Sequence, residues 1–218
     1  MNKDFLNNLI KKSDLKNTDY FVYNQSKTRK NNSIEKITFN TLSNPNFKDY
    51  IVLDFETTGL SPINDKIIEI GAVKVKDNII IDKFDTLINP KVPIPPFISN
   101  KINITNDMVK DTPFIEYIFK NFINFLEDLP LVIHNAKFDM GFLITNCKNL
   151  GFNINNSALD TVSTTKMIFP ELKKYNLAFL CNHFNISNPN AHRAMSDVLA
   201  TYELYKILYN ETIKKTIS

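Results

Sequence analysis

The chain has 218 residues, of which 43% are hydrophobic and 22% are charged; this composition excludes a disordered main body and favours one globular domain with an appendage. The net charge of +3 is uneven, because residues 1–49 hold nine Lys or Arg against five Asp or Glu, whereas residues 50–218 hold seventeen against eighteen. The basic segment is therefore the N-terminal extension, whose charges are either solvated or in contact with nucleic-acid phosphates.

Neither a membrane span nor a secretion signal is predicted. No run of about 18 apolar residues occurs, and the N-terminus, Met1–Asp4, lacks an apolar core. Cys147 and Cys181 lie far apart in predicted helices without CxxC spacing, which favours reduced thiols over a disulfide scaffold. We therefore expect a soluble, cytoplasmic protein.

The N-terminal extension has weak patterns. Residues 1–12 have helical apolar spacing, and residues 19–23 favour a short strand. Residues 24–33 are polar and basic, which predicts a linker or an arm, and residues 39–47 lead into the main domain. These patterns assign no function to residues 1–49.

The stretch 51–60 places two carboxylates in a run typical of a buried strand. Side chains alternate along a strand, so Asp54 and Glu56 point to the same face. Like charges this close repel, and keeping both beside Val52 and Leu53 favours a shared cation; hard oxygen ligands suit Mg²⁺ or Mn²⁺. The alternative is that the strand ends at Leu53 and both acids are solvated.

Five strands are predicted from apolar runs bounded by turn residues. They cover residues 50–56, 66–76, 79–88, 131–133 and 158–161. The two-residue break Asp77-Asn78 predicts an antiparallel hairpin between the second and third strands. Three strands followed by alternating helices and strands predict a mixed α/β sheet flanked by helices, and such sheets place their sites at the carboxyl ends of strands.

Helices are predicted from apolar periodicity and capping residues. The prolines of residues 90–96 are expected to prevent regular structure, and Thr105 caps a short helix after them. The longer predicted helices cover residues 112–127, 137–150, 162–168, 176–184 and 193–209.

A second polar stretch, His134–Asp139, leaves the fourth strand and enters a helix. Asn135 is expected to cap this helix, and Asp139 lies in its first turn. Aspartate at a helix start is also a routine choice because it compensates the helix dipole. This stretch alone therefore leaves a structural and a functional interpretation open.

A third stretch lies at the start of the last helix. His192 and Asp197 are five residues apart, about 140° of helical rotation, so they cannot share a face if both are helical. His192 is therefore expected on the preceding loop, from which it can turn toward Asp197; an exposed loop histidine beside a first-turn acid is the alternative. Asp160 ends the fifth strand and is expected to cap the helix over residues 162–168.

Taken in order, these stretches resemble the three exonuclease motifs of the DEDDh family of 3′–5′ exonucleases. The motifs are Asp54-x-Glu56-Thr57-Thr58-Gly59-Leu60, His134-Asn135-Ala136-x-Phe138-Asp139 and His192-x-x-x-x-Asp197. The resemblance covers residues 50–209 and looks closest to the proofreading exonuclease domain of the Gram-positive replicative DNA polymerase and the epsilon subunit of bacterial DNA polymerase III. Supporting stretches are residues 65–72, 104–109 and 138–143. Asn103 departs from the pattern, because the family often has Gly there.

The resemblance implies a ribonuclease H-like, mixed five-stranded sheet and a reaction with two divalent cations, Mg²⁺ or Mn²⁺. By resemblance, Asp54, Glu56 and Asp197 hold one cation, Asp54 bridges to a second, and Asp139 helps through water. His192 is the implied general base, since a side chain that titrates near neutral pH can take a proton from the attacking water.

The resemblance also implies contacts to the 3′-terminal nucleotide. Leu60 is expected against the terminal base, Thr57 near the terminal sugar, and Phe138 beneath a base. His134 and Asn135 are expected to shape the pocket. For Leu60 and Phe138, packing in the core is the alternative.

The expected activity is release of 5′-mononucleotides from the 3′ ends of DNA. Trimming of RNA 3′ ends is the alternative, because the same acids serve both sugars, and a noncatalytic nucleic-acid-binding subunit is disfavoured because no ligand is missing. A DNA polymerase or repair partner is expected, and no membrane. The expected organisation is a basic extension over residues 1–49, an exonuclease domain over 50–210 and a tail over 211–218.

Overall fold

The computed structural model describes residues 38–217. The helix predicted in residues 1–12, the strand in 19–23 and the linker in 24–33 lie outside the described residues. Within residues 38–217, six strands form a single sheet. They are β1 (Thr41–Leu42), β2 (Tyr50–Thr57), β3 (Ile67–Lys76), β4 (Ile79–Leu87), β5 (Leu131–Ile133) and β6 (Ala158–Asp160).

The sheet is mixed, in the order β1-β6-β5-β2-β3-β4. The first four strands of this order pair in parallel, and β2, β3 and β4 pair antiparallel. The prediction of five strands was wrong in number because it missed β1. This strand has only two residues, too few to show an alternating pattern, and it pairs with β6, where Thr41 lies opposite Ala158.

The hairpin between β3 and β4 is confirmed. Asp77 and Asn78 both have positive φ, 51° and 62°, which is the backbone conformation of a type I′ turn. Such a turn matches the right-handed twist of the flanking strands. The two-residue break therefore gave the pairing correctly.

Seven helices flank the sheet within the described residues. They are α1 (Pro96–Ile102), α2 (Asn106–Val109), α3 (Ile115–Leu126), α4 (Ala136–Leu150), α5 (Thr161–Ile168), α6 (Leu177–Phe184) and α7 (Ala194–Ile217). None of them combines the length and the apolar character that a membrane crossing requires.

Helix α1 corrects the expectation that prolines prevent regular structure after β4. Pro96 occupies the first helical position, where the missing N–H needs no partner and the fixed φ suits a helix. The helix ends at Asn103, whose φ of 54° and ψ of 34° are left-handed. Glycine and asparagine are the residues that adopt this conformation most readily, which accounts for asparagine at this position.

Helix α7 is longer than predicted. The pattern gave residues 193–209, whereas the helix continues to Ile217 and includes most of the expected tail. Its buried side lies on the sheet, where Val198 and Tyr205 pack against β2, β3, β5 and β6. The Tyr205 hydroxyl donates to the Phe47 carbonyl oxygen at 2.7 Å, which ties the helix to the segment before β2.

Alternate residues of β2 lie on opposite faces of the sheet. The odd-numbered residues pack in the core with α3 and α4, namely Ile51, Leu53 and Phe55. The even-numbered residues before the acids pack in the core with α7, namely Tyr50 and Val52. By the same alternation, Asp54 and Glu56 point to the α7 side.

Candidate active site

The two acids of β2 are buried at the centre of the sheet. Asp54 and Glu56 are each 6% exposed, and β2 is buried along its whole length. The alternative that the strand ends at Leu53 with both acids solvated is therefore wrong. Burying two like charges on one face is costly unless other groups or an ion compensate them.

Helix α7 adds a third carboxylate to this face. Among residues 38–217, one oxygen from each of Asp54, Glu56 and Asp197 lies within 4.8 Å of the other two. Two oxygens bound to one Mg²⁺ at about 2.1 Å lie at most about 4.2 Å apart. A movement of less than about 1 Å would therefore let all three oxygens bind one ion. The donor set is all oxygen, which suits a hard divalent cation.

Asp139 reaches β2 from the other face of the sheet and is not part of that three-oxygen group. Its Oδ1 accepts the Phe55 N–H at 3.0 Å, and its side chain is fully buried. The Ile51 N–H points to the same side of β2 as the Phe55 N–H, and it donates to the Pro130 carbonyl oxygen. Because β5 ends at Ile133, no strand continues the pairing on this side of β2. Asp139 takes that place, beside the backbone that links the two acids.

Asp197 is held by the loop that precedes α7. The Asn188 side-chain N–H₂ donates to Asp197 Oδ1 at 2.7 Å, and the His192 backbone N–H donates to Oδ2 at 3.3 Å. Asn188 is itself fixed, because the Ser196 hydroxyl donates to its Oδ1 at 2.6 Å. The orientation of this carboxylate therefore depends on residues outside the three motifs.

His192 lies on the loop, as its spacing from Asp197 predicted. It is exposed, and its φ is 69°, a left-handed conformation that is uncommon for residues other than glycine and asparagine. The surrounding structure must hold the backbone in this conformation. The loop conformation thus keeps the histidine next to Asp197 in space.

An ion pair between the buried Glu69 and the partly exposed Arg193 lies just before α7 on the sheet side. Glu69 of β3, 1% exposed, accepts hydrogen bonds from Arg193 Nη2 at 2.7 Å and from Nε at 3.0 Å, and also accepts the Ala194 N–H at 2.9 Å. Hydrogen bonding to Glu69 raises the pKa of Arg193, and the negative charges of Glu69, Asp85 and Glu56 act in the same direction. Arg193 is therefore a permanent positive charge next to the acids.

The loop after β2 forms one border of the site. The Thr57 hydroxyl donates to the Gly59 carbonyl oxygen at 2.6 Å, and the Lys66 N–H donates to the Thr58 hydroxyl at 2.9 Å. Leu60 is partly buried and packs against the main core. A Cβ at Gly59 would meet the Asp65 carboxylate, so a larger residue there would have to displace this side chain from the hydrogen bond that it accepts from the Ser61 N–H.

The His134–Asp139 stretch leads into α4 without a side-chain cap from Asn135. Asn135 occupies the N-cap position, as predicted, but its side chain makes no capping hydrogen bond. Its φ of 72° turns the backbone so that its own N–H and that of Ala136 donate to Asp160 Oδ1, at 2.9 and 3.3 Å. Asp160 also caps α5 as predicted, accepting the Val162 N–H.

The remaining predicted pocket residues of this stretch lie at two depths. His134 Nδ1 is 2.8 Å from the Thr161 hydroxyl oxygen, which fixes the ring over the start of α5. Phe138 is 5% exposed and packs on Phe142 with ring centroids 5.1 Å apart. Phe138 therefore packs in the core, which was the alternative to a position beneath a base.

Sequence reasoning missed the supporting residues. The pattern of Glu69 and Arg193 gives no local signal, because the two residues lie on a strand and a loop that meet only in the folded chain. Asn188 has no fixed spacing rule to Asp197. Glu69 itself is marked as a charged residue in the otherwise apolar run 67–73, but this signal does not connect it to Arg193 or indicate Asn188.

The chain matches known proteins over the region that contains this site. The family model for exonucleases, RNase_T, matches residues 51–205. The PolC-type DNA polymerase III of Caldanaerobacter subterraneus subsp. tengcongensis is 43% identical over 157 residues, and that of Clostridium perfringens is 44% identical over 163 residues. These matches cover 72% and 75% of this chain but only 11% of each polymerase.

The fold also matches a solved nuclease structure. Exonuclease X in complex with 5′ overhanging duplex DNA is 27% identical, with a TM-score of 0.61. The match covers 74% of this chain and 91% of that chain.

Proposed function

Because this chain belongs to the exonuclease family, we propose that it is a metal-dependent 3′–5′ exonuclease that releases 5′-mononucleotides from the 3′ ends of DNA. The observation that supports this most strongly is the meeting of Asp54, Glu56 and Asp197 oxygens within 4.8 Å, from a strand and a helix about 140 residues apart in sequence. Phosphodiester hydrolysis needs positive charge beside the reacting phosphate, and the three acids can bind a cation that supplies it. The proposed exonuclease domain covers residues 50–210.

The proposed metal ligands are the four acids. Asp54, Glu56 and Asp197 would hold one cation, and Asp54 and Asp139 would serve a second. A bound pair of Mg²⁺ or Mn²⁺ ions supplies the charge that stabilises the attacking and leaving oxygens of an in-line displacement at phosphorus. The buried position of Asp54 and Glu56 strengthens their interaction with any cation, because solvent screens it poorly.

His192 is the proposed general base. Histidine is the side chain best suited to accept a proton from the attacking water and later release it to solvent. Its exposed position on the loop before α7 supports this role, and the His192 N–H bond to Asp197 Oδ2 keeps the loop next to a metal ligand.

The proposed pocket for the 3′-terminal nucleotide is formed by Thr57, Leu60, His134, Asn135 and Phe138. Leu60 is partly exposed on the border loop, where an apolar side chain can contact a base. Asn135 Nδ2 is buried and has no hydrogen-bond partner among the described residues; a phosphate or sugar oxygen would supply one. Phe138 supports the pocket from below rather than by stacking, since it is buried.

DNA is the preferred substrate in this proposal, since the matched polymerases and the matched exonuclease X complex are DNA proteins by name. A DNA polymerase or a repair protein is the proposed partner. We propose a cytoplasmic location because the relatives are bacterial polymerases and both cysteines are free thiols.

The test uses the full chain with single-stranded DNA labelled at its 5′ end, in Mg²⁺ or in Mn²⁺. We expect a ladder of products shortened from the 3′ end, release of 5′-mononucleotides, and a loss of rate of at least about a hundredfold in Asp54→Ala. Asp128→Ala is the matched control, because it removes an exposed acid at the opposite end of β5. An RNA oligonucleotide with a different label, added to the same reaction, separates the two sugars: RNA cleaved faster than DNA would make this an exoribonuclease. Intact DNA in both metals, with wild type and Asp54→Ala indistinguishable, would refute the proposal.

A further inference from the structure

Glu69 occupies a position in the sheet next to the proposed metal ligands. In the β2–β3 pairing, Glu69 lies directly opposite Glu56, and residues opposite each other in an antiparallel pair share a face. Two buried carboxylates side by side repel each other. Arg193 lies against Glu69, and its positive charge offsets this repulsion.

Among residues 38–217, the hydrogen-bond donors to Glu69 come from two consecutive residues. Arg193 donates through Nε and Nη2, and Ala194 donates through its backbone N–H. A buried carboxylate is tolerated only when such donors satisfy it, and a two-pronged guanidinium fixes orientation as well as charge. Arg193 directly follows His192, and Ala194 is three residues before Asp197. Glu69 therefore anchors the short segment that contains both proposed reactive residues.

Gly71 provides a second, independent contact between β3 and the same segment. A Cβ at Gly71 would lie 2.6 Å from the Ala194 carbonyl carbon and 2.7 Å from the Met195 nitrogen. The backbone of β3 therefore touches the first turn of α7 directly. Two residues of one strand, on the same face, fix the start of the helix.

We propose that Glu69 and Arg193 are positioning residues for the hydrolysis, because together they hold His192 in its left-handed loop conformation and Asp197 against Asp54 and Glu56. This inference rests on the proposed function. The pair contacts neither substrate nor cation; it acts through the loop. Without the Glu69 anchor, the loop is free to leave the conformation in which the His192 N–H meets Asp197 Oδ2.

The first experiment measures the loop without any substrate. Backbone amide exchange by mass spectrometry is compared for wild type, Glu69→Gln and Arg193→Lys. Glutamine keeps the shape of Glu69 but loses the charge, and lysine keeps the charge of Arg193 but not the fork. We expect exchange in peptides covering residues 190–198 to increase at least about tenfold in Glu69→Gln, since protection of these amides depends on the anchored conformation. Arg193→Lys should give a smaller increase.

The second experiment separates positioning from stability. Because a misplacement of about 1 Å costs about a hundredfold in rate, we expect kcat of Glu69→Gln to fall by about 10- to 100-fold while KM for DNA changes by less than about threefold. The Kd for Mn²⁺, measured by calorimetry, should rise by about tenfold, because Asp197 is less well oriented. The double variant Glu69→Gln/Arg193→Lys should be no worse than Glu69→Gln, since both changes break the same unit.

The matched control is Glu127→Gln. Lys74 is another side chain of β3, and its Nζ lies 2.8 Å from Glu127 Oε1. The substitution breaks this ion pair. We expect wild-type values for this variant in all three measurements.

Wild-type exchange over residues 190–198 in both variants, with an unchanged Kd for Mn²⁺, would overturn the positioning role. If Glu69→Gln exchanges faster over the whole chain, the Arg193→Lys variant decides, because Glu69 keeps its hydrogen bond from the Ala194 N–H in that variant. If wild type cleaves no nucleic acid, the proposed function fails, while exchange and Mn²⁺ binding still decide whether the pair holds the loop.

Discussion

Asn188 holds the carboxylate of Asp197, one of the proposed metal ligands. Its Nδ2 donates to Asp197 Oδ1 at 2.7 Å, and its Oδ1 accepts the Ser196 hydroxyl. The amide leaves Oδ2 of Asp197 to the His192 N–H and fixes the plane of the carboxylate. Groups that orient a ligand in this way affect metal affinity without touching the ion.

We therefore predict that Asn188→Ala raises the Kd for Mn²⁺ by about 10- to 100-fold. Calorimetric titration of Mn²⁺ into the metal-free protein measures this. Ser187→Ala, at the exposed neighbouring position on the same loop, should leave the Kd unchanged. Equal affinities for wild type and Asn188→Ala would mean that Asp197 orients itself.

The sequence alone located the acids and the histidine, because each sits in a short local pattern. It did not locate the residues that hold them. Glu69 and Arg193 are 124 positions apart, and no local spacing rule connects them. Asn135 takes the predicted N-cap position, but the acceptor at the start of α4 was missed for the same reason, because it is Asp160, 25 residues later in the chain.

The strands and helices also divide into those that the local sequence predicted and those that it did not. The hairpin of β3 and β4 was predictable because its turn residues, Asp77 and Asn78, are adjacent in sequence. Strand β1 was not, because Thr41 and Leu42 become a strand only by pairing with β6. Helix α1 was missed because a run of prolines usually prevents regular structure, although Pro96 suits the first helical position.

The contact between β3 and α7 gives a prediction about packing. Gly71→Ala places a Cβ 2.6 Å from backbone atoms of Ala194, which cannot move without shifting the helix. We expect the free energy of unfolding to fall by about 1–3 kcal/mol, with a loss of kcat because the helix start moves. Chemical denaturation and single-turnover kinetics measure the two effects.

Gly141 is the control for Gly71→Ala. It lies inside α4, where a Cβ would be 3.5 Å from the nearest Pro62 atom, an ordinary contact. Gly141→Ala should be neutral or stabilise the protein by up to about 1 kcal/mol, because alanine favours helix. If both variants destabilise the protein equally, the close approach of β3 to α7 is not what Gly71 provides.

The end of α1 gives a prediction about backbone conformation. Asn103 is exposed and left-handed, so glycine should fit it with less strain. We expect Asn103→Gly to raise the free energy of unfolding by about 0.5–1 kcal/mol and Asn103→Ala to lower it by a similar amount. Thermal unfolding of the three proteins, under one set of conditions, should give melting temperatures in the order Gly, Asn, Ala; any other order would contradict the strain argument.

The arrangement of the sheet brings the acids together. Strands β5 and β6 run parallel to β2, so their carboxyl ends and the starts of α4 and α5 lie on the same side of the molecule as Asp54 and Glu56. Helix α7 crosses the face of the sheet to which Asp54 and Glu56 point and brings Asp197 to the same edge. The fold therefore concentrates negative charge at one place, and this must cost stability when no cation is bound.

This cost leads to a prediction in which one substitution has opposite effects with and without metal. In EDTA, Asp54→Asn removes one of three carboxylates whose oxygens lie within 4.8 Å, so we expect it to stabilise the protein by about 1–2 kcal/mol. In Mn²⁺ at about 100 times its Kd, wild type should gain about 2.7 kcal/mol, a rise in melting temperature of about 5–10 °C. Asp54→Asn should gain little, so the order of the two melting temperatures reverses on adding metal. Asp128→Asn makes the same change in net charge at an exposed position and should follow wild type in both conditions. Differential scanning calorimetry of the three proteins decides: an equal response of wild type and Asp54→Asn to Mn²⁺ would mean that Asp54 does not bind the ion.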